Sequence, residues 1–560
     1  MIHSTESNRE RLTLFGLLAA LFVTYIVEIQ HGLPNRDVVW GYDANPLLPL
    51  IAAKKIFLDG WNTGWHTPYP NFHYYVLLLF IAPYMAVQWL LGSLAGLRMD
   101  IGYPYGLQNF DTIFMHLALI TRLVSVAMAI GTAYWVYRIG RALHSHLAGI
   151  FAAFIVGFSP AIVYYVHLET LDVPMLFWLS AALYCYVRVL QTFELRYYAG
   201  LAVLAAVSTA TKDYAYGVFV LLPFPLIAAL ARHASGSIAP SNLARAALDR
   251  RHLIAAGVFL VAFAIAENWI WNFSGFVGHV KLAGWFAPDV PETIVTTSFG
   301  RLDLLSPQRL KSTGSILVFV LGWAGIATCL LGALYAGRRH RRILWILAWP
   351  AVSYYVFTVC QTAPAESLIE RPYLPLGVIL AIFGGLALAQ ATTSPLRWKK
   401  ALAFVALAAI ALNGIAMDAA LATDPRYQAE QWLAANVARG ARIELYGLRS
   451  ELPRTNSSQQ TATYVTPFPR PGDVEAVAGW VTAQAFADRS PDWIVISWAF
   501  LGVYSADRES GKGHALYEFV RELRDGERGY AQRVSLVSRI SNALNFPPGL
   551  TPSVSIFGRR

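Results

Sequence analysis

"TRLVSVAMAIGTAYWVYRIGRAL", residues 121–143, is an apolar stretch that ends in two arginines, Arg138 and Arg141. Apolar runs of about 18 to 25 residues, the length that crosses a bilayer as a helix, recur along most of the chain. Hydrophobic residues make up 56% of the 560 residues and charged residues only 14%, against roughly 25% in soluble domains. This composition excludes a soluble globular protein and predicts a polytopic α-helical membrane protein.

The basic residues lie in short clusters between the apolar runs. The chain has a net charge of +10, but this spacing is typical of cytoplasmic loops and not of a nucleic-acid interface. We therefore expect the lipid bilayer, and no nucleic acid, as a partner. The four clusters are Arg138/Arg141, Arg245/Arg250/Arg251, Arg338–Arg342 and Arg397–Lys400.

Eleven of the apolar runs are predicted to span the membrane. The first follows Arg9 and Arg11 and is expected to be a retained signal-anchor helix. The runs are 12–30, 113–137, 147–166, 173–190, 198–211, 215–231, 253–271, 314–336, 343–360, 372–391 and 399–417.

One further run, 72–91, is also long enough to span. If it crosses, every later loop changes side and the four basic clusters lie outside, against the positive-inside rule. If it does not cross, all four lie inside with Arg9 and Arg11. We therefore predict that 72–91 is an interfacial or re-entrant helix in a long first outer loop, and that the C-terminus lies outside.

The composition changes from about Asp418. The segment 424–447, "DPRYQAEQWLAANVARGARIELYG", indicates a helix followed by a strand, and "PDWIVISW" (491–498) indicates another strand. A helix and a strand are predicted within 516–540, and a last strand in "SVSIFG" (553–558). We predict a transmembrane catalytic domain over 1–417 and a small α/β domain over 418–560 on the outer face.

Ionisable residues gather in the predicted outer loops. Taken singly, each is better explained as a solvated helix end, and the aromatic residues around them as an interfacial belt. Taken together, they can bring carboxylates and cations to one membrane face. They include Asp43 in "GYDANP" (41–46), Glu169 and Asp172 in "HLETLDVP" (167–174), Lys212 in "TKDY" (211–214), and Arg371 in "ERPYLPL" (370–376).

The sequence resembles the GT-C glycosyltransferases that use lipid-linked donors, in the branch of the protein O-mannosyltransferases and the bacterial aminoarabinose transferase ArnT. The resemblance covers about the first 390 residues in family order. It is carried by "GYDANP", "YPNFHYYVLLLF" (69–80), the stretch 121–143, "SPAIVYYVHLETLDVPMLFW" (159–178), "STATKDYAYGVFVLLP" (208–223) and "ERPYLPL".

This resemblance implies a GT-C fold and a role for each matching position. Asp43 matches the first-loop acid near the reaction centre, and Asp172 matches a second-loop acid of the active site. Lys212 and Arg371 match basic positions that hold the donor phosphate. The family also has interfacial helices in its first outer loop, which agrees with the loop-charge argument.

The chemistry of a polyprenyl-phosphate sugar needs few groups. Its phosphate leaves as an anion, so a single displacement needs a base for the acceptor hydroxyl and cations at the phosphate. Asp43 is our candidate base, and Lys212 and Arg371 are the candidate cations. Asp172 or Glu169 is expected to orient Lys212, the acceptor or His167, and the expected stereochemistry is inversion.

Further residues of the predicted outer loops are candidates for binding. Tyr42, His66 and His167 are predicted to bind substrate. No cofactor is predicted with certainty, but a divalent metal is possible by residue type. The alternative is a set of satisfied interfacial histidines, because no ligand spacing supports a metal site. The residues in question are His66, His73, His167, Glu169 and Asp172.

Three functions remain open on the sequence alone. The first is a glycosyltransferase that moves a sugar to a glycolipid, a cell-wall glycan or a protein. The second is a transporter or flippase of lipid-linked sugars, and the third is a non-catalytic scaffold. The resemblance favours the transferase and implies a multi-pass protein of the bacterial inner membrane. The loop charges predict that the active site and the C-terminal domain lie on the periplasmic side.

Overall fold

The chain forms a helical bundle followed by a small C-terminal sheet. This is seen in a computed structural model that describes residues 7–35, 47–54, 70–101, 105–282, 306–360, 371–455, 461–465, 479–499 and 514–560. The helices of the bundle are α1 (Asn8–Ile26), α2 (Leu48–Ala53), α3 (Phe72–Leu90), α4 (Phe110–Leu143), α5 (His146–Gly157), α6 (Pro160–Val166), α7 (Asp172–Thr192), α8 (Leu195–Thr209), α9 (Tyr216–Phe219), α10 (Pro223–Ser235), α11 (Pro240–Ala247), α12 (Arg250–Ala266), α13 (Phe273–Leu282), α14 (Pro307–Arg339), α15 (Arg341–Tyr354), α16 (Leu374–Thr393) and α17 (Arg397–Ala422).

The prediction of a polytopic helical membrane protein is confirmed. Among the described residues, eight helices are long and apolar enough to cross a membrane, or nine if the bent pair α5 and α6 forms one span. Three of the eleven predicted runs are not among these nine helices. Helix α1 has three charged residues in its first turn, and α8 and α12 have only 15 and 17 residues.

Helix α3 is as long and apolar as the sequence indicates. It has 19 residues and is as apolar as α15, so it is also long and apolar enough to cross a membrane. Length and apolarity alone therefore group α3 with the spanning helices. Its interfacial position stays a prediction that depends on the charge of the later loops.

The bundle core is built on close contacts between α4, α5, α14 and α16. Helix α16 packs between α5 and α14, and α4 packs against both α5 and α7. At Gly385 of α16, a Cβ atom would lie 2.3 Å from the carbonyl oxygen of Ala148 in α5. Small residues at such crossings let the helix backbones touch, which is how helices associate in an apolar solvent.

A bend between α5 and α6 positions the polar loop that follows. The two helix axes meet at 60°. Ser159 caps the second helix, since its hydroxyl accepts a hydrogen bond from the Ile162 amide at 3.4 Å, and Pro160 occupies the first helical position. Helix α6 ends at Val166, so the loop 167–171 enters the bundle directly before Asp172.

The C-terminal part, which we call the sheet region (described residues 425–560), contains a five-stranded sheet of order β2-β1-β3-β5-β4. Strands β1 to β3 are parallel, and β5 runs antiparallel to both β3 and β4. The elements are α18 (Pro425–Asn436), β1 (Arg442–Tyr446), β2 (Thr461–Val465), α19 (Ala483–Arg489), β3 (Trp493–Ser497), α20 (His514–Asp525), β4 (Tyr530–Leu536), α21 (Arg539–Leu544) and β5 (Val554–Arg559).

The sheet separates two apolar cores because side chains alternate along each strand. In β3, Ile494 and Ile496 face the core that includes α19 and α20, whereas Val495 faces the core that includes α18. Each strand expected from the sequence is present. Strand β2 was not predicted, since "TATYV" is short and only partly buried.

Candidate functional site

Asp172 and Lys212 form a buried ion pair at the end of the bundle where α6 stops and α7 starts. The Lys212 ammonium donates to both carboxylate oxygens of Asp172 at 2.9 Å. Asp172 lies in the first turn of α7, where the helix dipole favours a negative charge. Lys212 lies in the turn that follows α8. Both residues are at most 1% exposed, so the pair is shielded from solvent.

Arg371 is the second cation at this carboxylate. It opens a single helical turn, Arg371–Tyr373, that leads into α16. Its Nη1 lies 3.9 Å from Asp172 Oδ2, and its guanidinium lies over the ring of Tyr165 at 5.4 Å. The Arg371 side chain is 20% exposed, so this side of the site is open.

Two of the three charged side chains at this site are cations. Lys212 and Arg371 both lie at the buried carboxylate of Asp172. Cations in such a place favour an anionic ligand, because the surrounding protein screens the charges far less than water does. Arg371 can also offer a planar pair of N–H donors to phosphate oxygens.

Sequence reasoning missed one polar group at this site. Tyr354, near the end of α15, is fully buried and close enough to Asp172 to interact with it electrostatically. Its hydroxyl has no hydrogen-bond partner among the residues described. Tyr354 lies inside a predicted apolar span, so nothing in the local pattern distinguished it from an ordinary helix residue.

Glu169 pairs with a different cation. Arg122, in the middle of α4, donates from Nε to Glu169 Oε1 at 2.7 Å, and both residues are at most 1% exposed. The same guanidinium donates from Nη1 to the carbonyl oxygens of Ile29 and His31, at 2.7 and 2.5 Å. Glu169 is thus engaged by Arg122, and it is Asp172 that orients Lys212.

The His167 ring contacts two backbone carbonyls. Nδ1 lies 2.6 Å from the oxygen of Val163, and Nε2 lies 2.6 Å from the oxygen of Val27. Burial lowers the pKa of His167 to about 4, even though these contacts favour the charged ring. A neutral imidazole carries one N–H and donates to one carbonyl at a time. The geometry gives His167 a packing role, and its predicted role in binding substrate stays a prediction.

The other predicted site residues lie outside the described residues. These are Asp43, Tyr42 and His66. Within the described ranges, no group of three or more His, Cys, Asp and Glu side chains is arranged to hold a metal ion. Of the residues considered as metal ligands, Glu169 and Asp172 are paired with cations, and His73 is fully buried in α3.

Residues 101–271 match the family model described as dolichyl-phosphate-mannose-protein mannosyltransferase. Over these residues the chain is similar to that family of glycosyltransferases. The matched segment contains Asp172 and Lys212, and it gives no support to a transporter or flippase. No curated protein matches the sequence of the chain.

Several solved structures are similar to the chain at low sequence identity. The oligosaccharyltransferase of Archaeoglobus fulgidus is 12% identical, with a TM-score of 0.48 over 88% of this chain and 70% of its own. ArnT from Cupriavidus metallidurans is 14% identical, with a TM-score of 0.45 over 86% of this chain and 92% of its own. The Pmt1-Pmt2 complex of S. cerevisiae is 14% identical, with a TM-score of 0.33 over 49% and 35%.

Proposed function

We propose that this protein is a glycosyltransferase that moves a sugar from a polyprenyl-phosphate donor to an acceptor hydroxyl by inverting displacement. The observation that carries the proposal is the buried carboxylate of Asp172 shared by two cations, Lys212 and Arg371. A phosphate that departs as an anion needs cations at this point of the reaction. The acceptor is a glycolipid, a cell-wall glycan or a protein.

An apolar cavity supports a lipid-linked donor. It has a volume of about 690 Å³ and lies between α8, α10 and α12. Thr209 and Tyr216 line it, and these residues flank the turn that carries Lys212. An isoprenoid chain is proposed to bind in this cavity, where its burial is favourable by the hydrophobic effect.

The reaction also needs a base for the acceptor hydroxyl, and Asp43 remains the candidate for this role. A carboxylate partly removed from water gains proton affinity, which suits a base near neutral pH. In the proposal, Lys212 and Arg371 stabilise the departing phosphate while Asp172 holds both cations in place. Tyr42 and His66 bind substrate near the same base.

We also propose the location of the site. Residues 1–417 form the catalytic membrane domain, and residues 418–560 form a periplasmic α/β domain of a bacterial inner-membrane protein. The basic loop clusters support this orientation. A reporter fused to the C-terminus tests it, because a cytoplasmic reporter signal contradicts both the orientation and the grouping of the site loops on the outer face.

The decisive experiment is transfer of a labelled sugar from polyprenyl phosphate by the purified protein. Asp43→Asn is expected to lower transfer by about 100-fold or more, within the range of general-base catalysis. Lys400→Ala, an exposed lysine near the start of α17, is the control and is expected to keep full activity. Full activity in Asp43→Asn removes this residue as the base. Inactivity of the wild-type protein with a broad panel of donors contradicts the proposed function.

A further inference from the structure

The segment that joins α1 to the first outer loop is bound by side chains of the bundle. We call residues 27–35 the connecting segment. Arg122 donates to two of its carbonyls, those of Ile29 and His31, while its Nε holds Glu169. Since Arg122 is fully buried, it fixes the connecting segment and Glu169 to each other without competition from water.

The sheet region binds the same segment from the other side. Arg454 donates from Nη1 to the carbonyl oxygen of Leu33 at 2.7 Å. The Tyr427 hydroxyl accepts a hydrogen bond from the Gly32 amide at 2.5 Å. Arg454 itself is held by Glu430 through two parallel contacts of 2.8 Å, so its third nitrogen is aimed by a rigid pair.

A second arginine of the sheet region reaches His31. Arg426 is 3% exposed, and its guanidinium is clamped by Asp424 at 3.0 and 2.6 Å. Its Nη2 lies 3.4 Å from Nε2 of His31. Burial and the neighbouring Arg426 and Arg122 lower the pKa of His31, so the ring is neutral and its nitrogen can accept from Arg426.

These contacts form a continuous series from the sheet region to the reaction site. Arg454 and Arg426 hold the connecting segment, the segment is held by Arg122, and Arg122 holds Glu169. Glu169 lies three residues before Asp172, in the same short loop that leads into α7. Every contact of the series is between described residues, and its buried members have little freedom to adopt another arrangement.

We propose that the sheet region is a positioning element for the Asp172–Lys212 pair, and that Arg454 acts on this pair through the connecting segment and Arg122. The proposal rests on the proposed function for its effect on transfer. Its structural part, the restraint of residues 27–35 and 167–172 by Arg454, can be measured without any reaction.

The test compares Arg454→Gln with Arg489→Gln in the full-length purified protein. Arg489 also belongs to the sheet region and pairs with Glu444 at 2.6 Å. Its hydrogen bonds to described residues all lie within the sheet region, and Arg489 and Arg454 are similarly buried, at 23% and 18% side-chain exposure. Arg489→Gln therefore controls for a general loss of stability in the sheet region.

Hydrogen exchange is the first measurement. Arg454→Gln is expected to raise exchange about tenfold in peptides covering 27–35 and 167–172, because local opening becomes easier when an anchoring contact is lost. Arg489→Gln is expected to leave both peptides unchanged. Unchanged exchange in Arg454→Gln, or an equal rise in both variants, overturns the proposal. If Arg454→Gln does not fold, Tyr427→Phe replaces it, with a smaller rise expected in the same peptides.

A double-mutant cycle on kcat is the second measurement. Arg454→Gln is expected to lower kcat by about tenfold, since small displacements of reacting groups cost this much or more. Combined with Glu169→Gln, its effect is expected to be much less than multiplicative, because both changes release the same loop. The pair Arg489→Gln and Glu169→Gln is expected to be multiplicative.

The outcomes separate the two proposals. Multiplicative effects of Arg454→Gln and Glu169→Gln overturn the positioning role even if exchange changes. A wild-type protein that transfers no sugar contradicts the proposed function, and the exchange of 167–172 then decides the structural part by itself. An Arg454→Lys variant that keeps both kcat and the exchange pattern near wild type supports the positioning role, because the ammonium can still donate to Leu33.

Discussion

Two buried ion pairs, Glu169–Arg122 and Asp172–Lys212, have their acids only three residues apart in the chain, yet they differ in the number of cations and in access to solvent. Glu169 and Arg122 are fully buried, and Nη1 of the arginine donates to two backbone carbonyls of the connecting segment. Asp172 and Lys212 are equally buried, but a second cation, Arg371, adjoins them from a partly open side. The first pair has one cation and no open side, whereas the second has two cations at one carboxylate and a partly exposed arginine. Burial alone therefore does not distinguish a candidate site, whereas a second cation with access to solvent does.

The largest effect is expected when Arg122 of the Arg122–Glu169 ion pair is replaced. Arg122→Met leaves Glu169 buried without its cation and removes the donor to two carbonyls. We expect a loss of about 3 to 5 kcal/mol in the free energy of unfolding, as when one partner of a buried pair is removed. The midpoint of unfolding in detergent measures this. Arg122→Met/Glu169→Gln should recover part of the loss, and a single variant as stable as wild type would contradict the structural role.

Lys212 should respond in activity more than in stability. Lys212→Met leaves Asp172 with Arg371, so the carboxylate keeps one cation. The donor phosphate loses a charge-stabilising group, and kcat is expected to fall about 100- to 1000-fold. Labelled transfer measures it, with Lys400→Met as the matched control. A Lys212→Met protein that retains more than about a tenth of wild-type kcat would contradict the assignment of Lys212 to the donor phosphate.

Acid is expected to lower the folding stability of the region around Arg122 and Glu169. The folded-state pKa of His167 is lowered to about 4 from the ordinary 6.5, so the unfolded chain binds more protons between these values. Stability is therefore lost as the pH falls from about 6.5 toward 4, by on the order of 3 kcal/mol. His31 changes stability with the same sign, since burial lowers its pKa too.

Unfolding midpoints measured from pH 7.5 down to pH 4 test this, with His167→Gln as the informative variant. Its glutamine cannot be protonated, so its stability is expected to depend less on pH over this window. A pH dependence as steep as that of the wild type would show that another group is responsible.

Arg371 should give the smallest effect. Arg371→Lys keeps the charge near Asp172 but loses the planar donor pair and the contact over Tyr165. We expect kcat/KM for the donor to fall by about tenfold. The control is Arg397→Lys, at an exposed arginine that begins α17. Equal behaviour of the two variants would remove Arg371 from the phosphate site.

Much of the fold could be predicted because hydropathy is a local property. Runs of apolar residues identified the membrane helices, and alternation identified four of the five strands of the sheet. The number of membrane spans was the least certain part of the prediction. Helices α8 and α12 are short. Helix α3 is long and apolar enough to cross a membrane, although the charges of the later loops predict that it does not.

The sequence by itself determined that acids and cations gather in the loops at one end of a helical bundle. It also singled out Asp172, Lys212 and Arg371, which the tertiary structure brings together. Only the tertiary structure decided the pairing: Asp172 and Lys212 are 40 residues apart, and Arg122 and Glu169 are 47 apart. The physical reason is that a buried charge takes the partner that packing places within hydrogen-bond distance. Helix crossings, bends and caps set that distance, and no local pattern in the sequence records it.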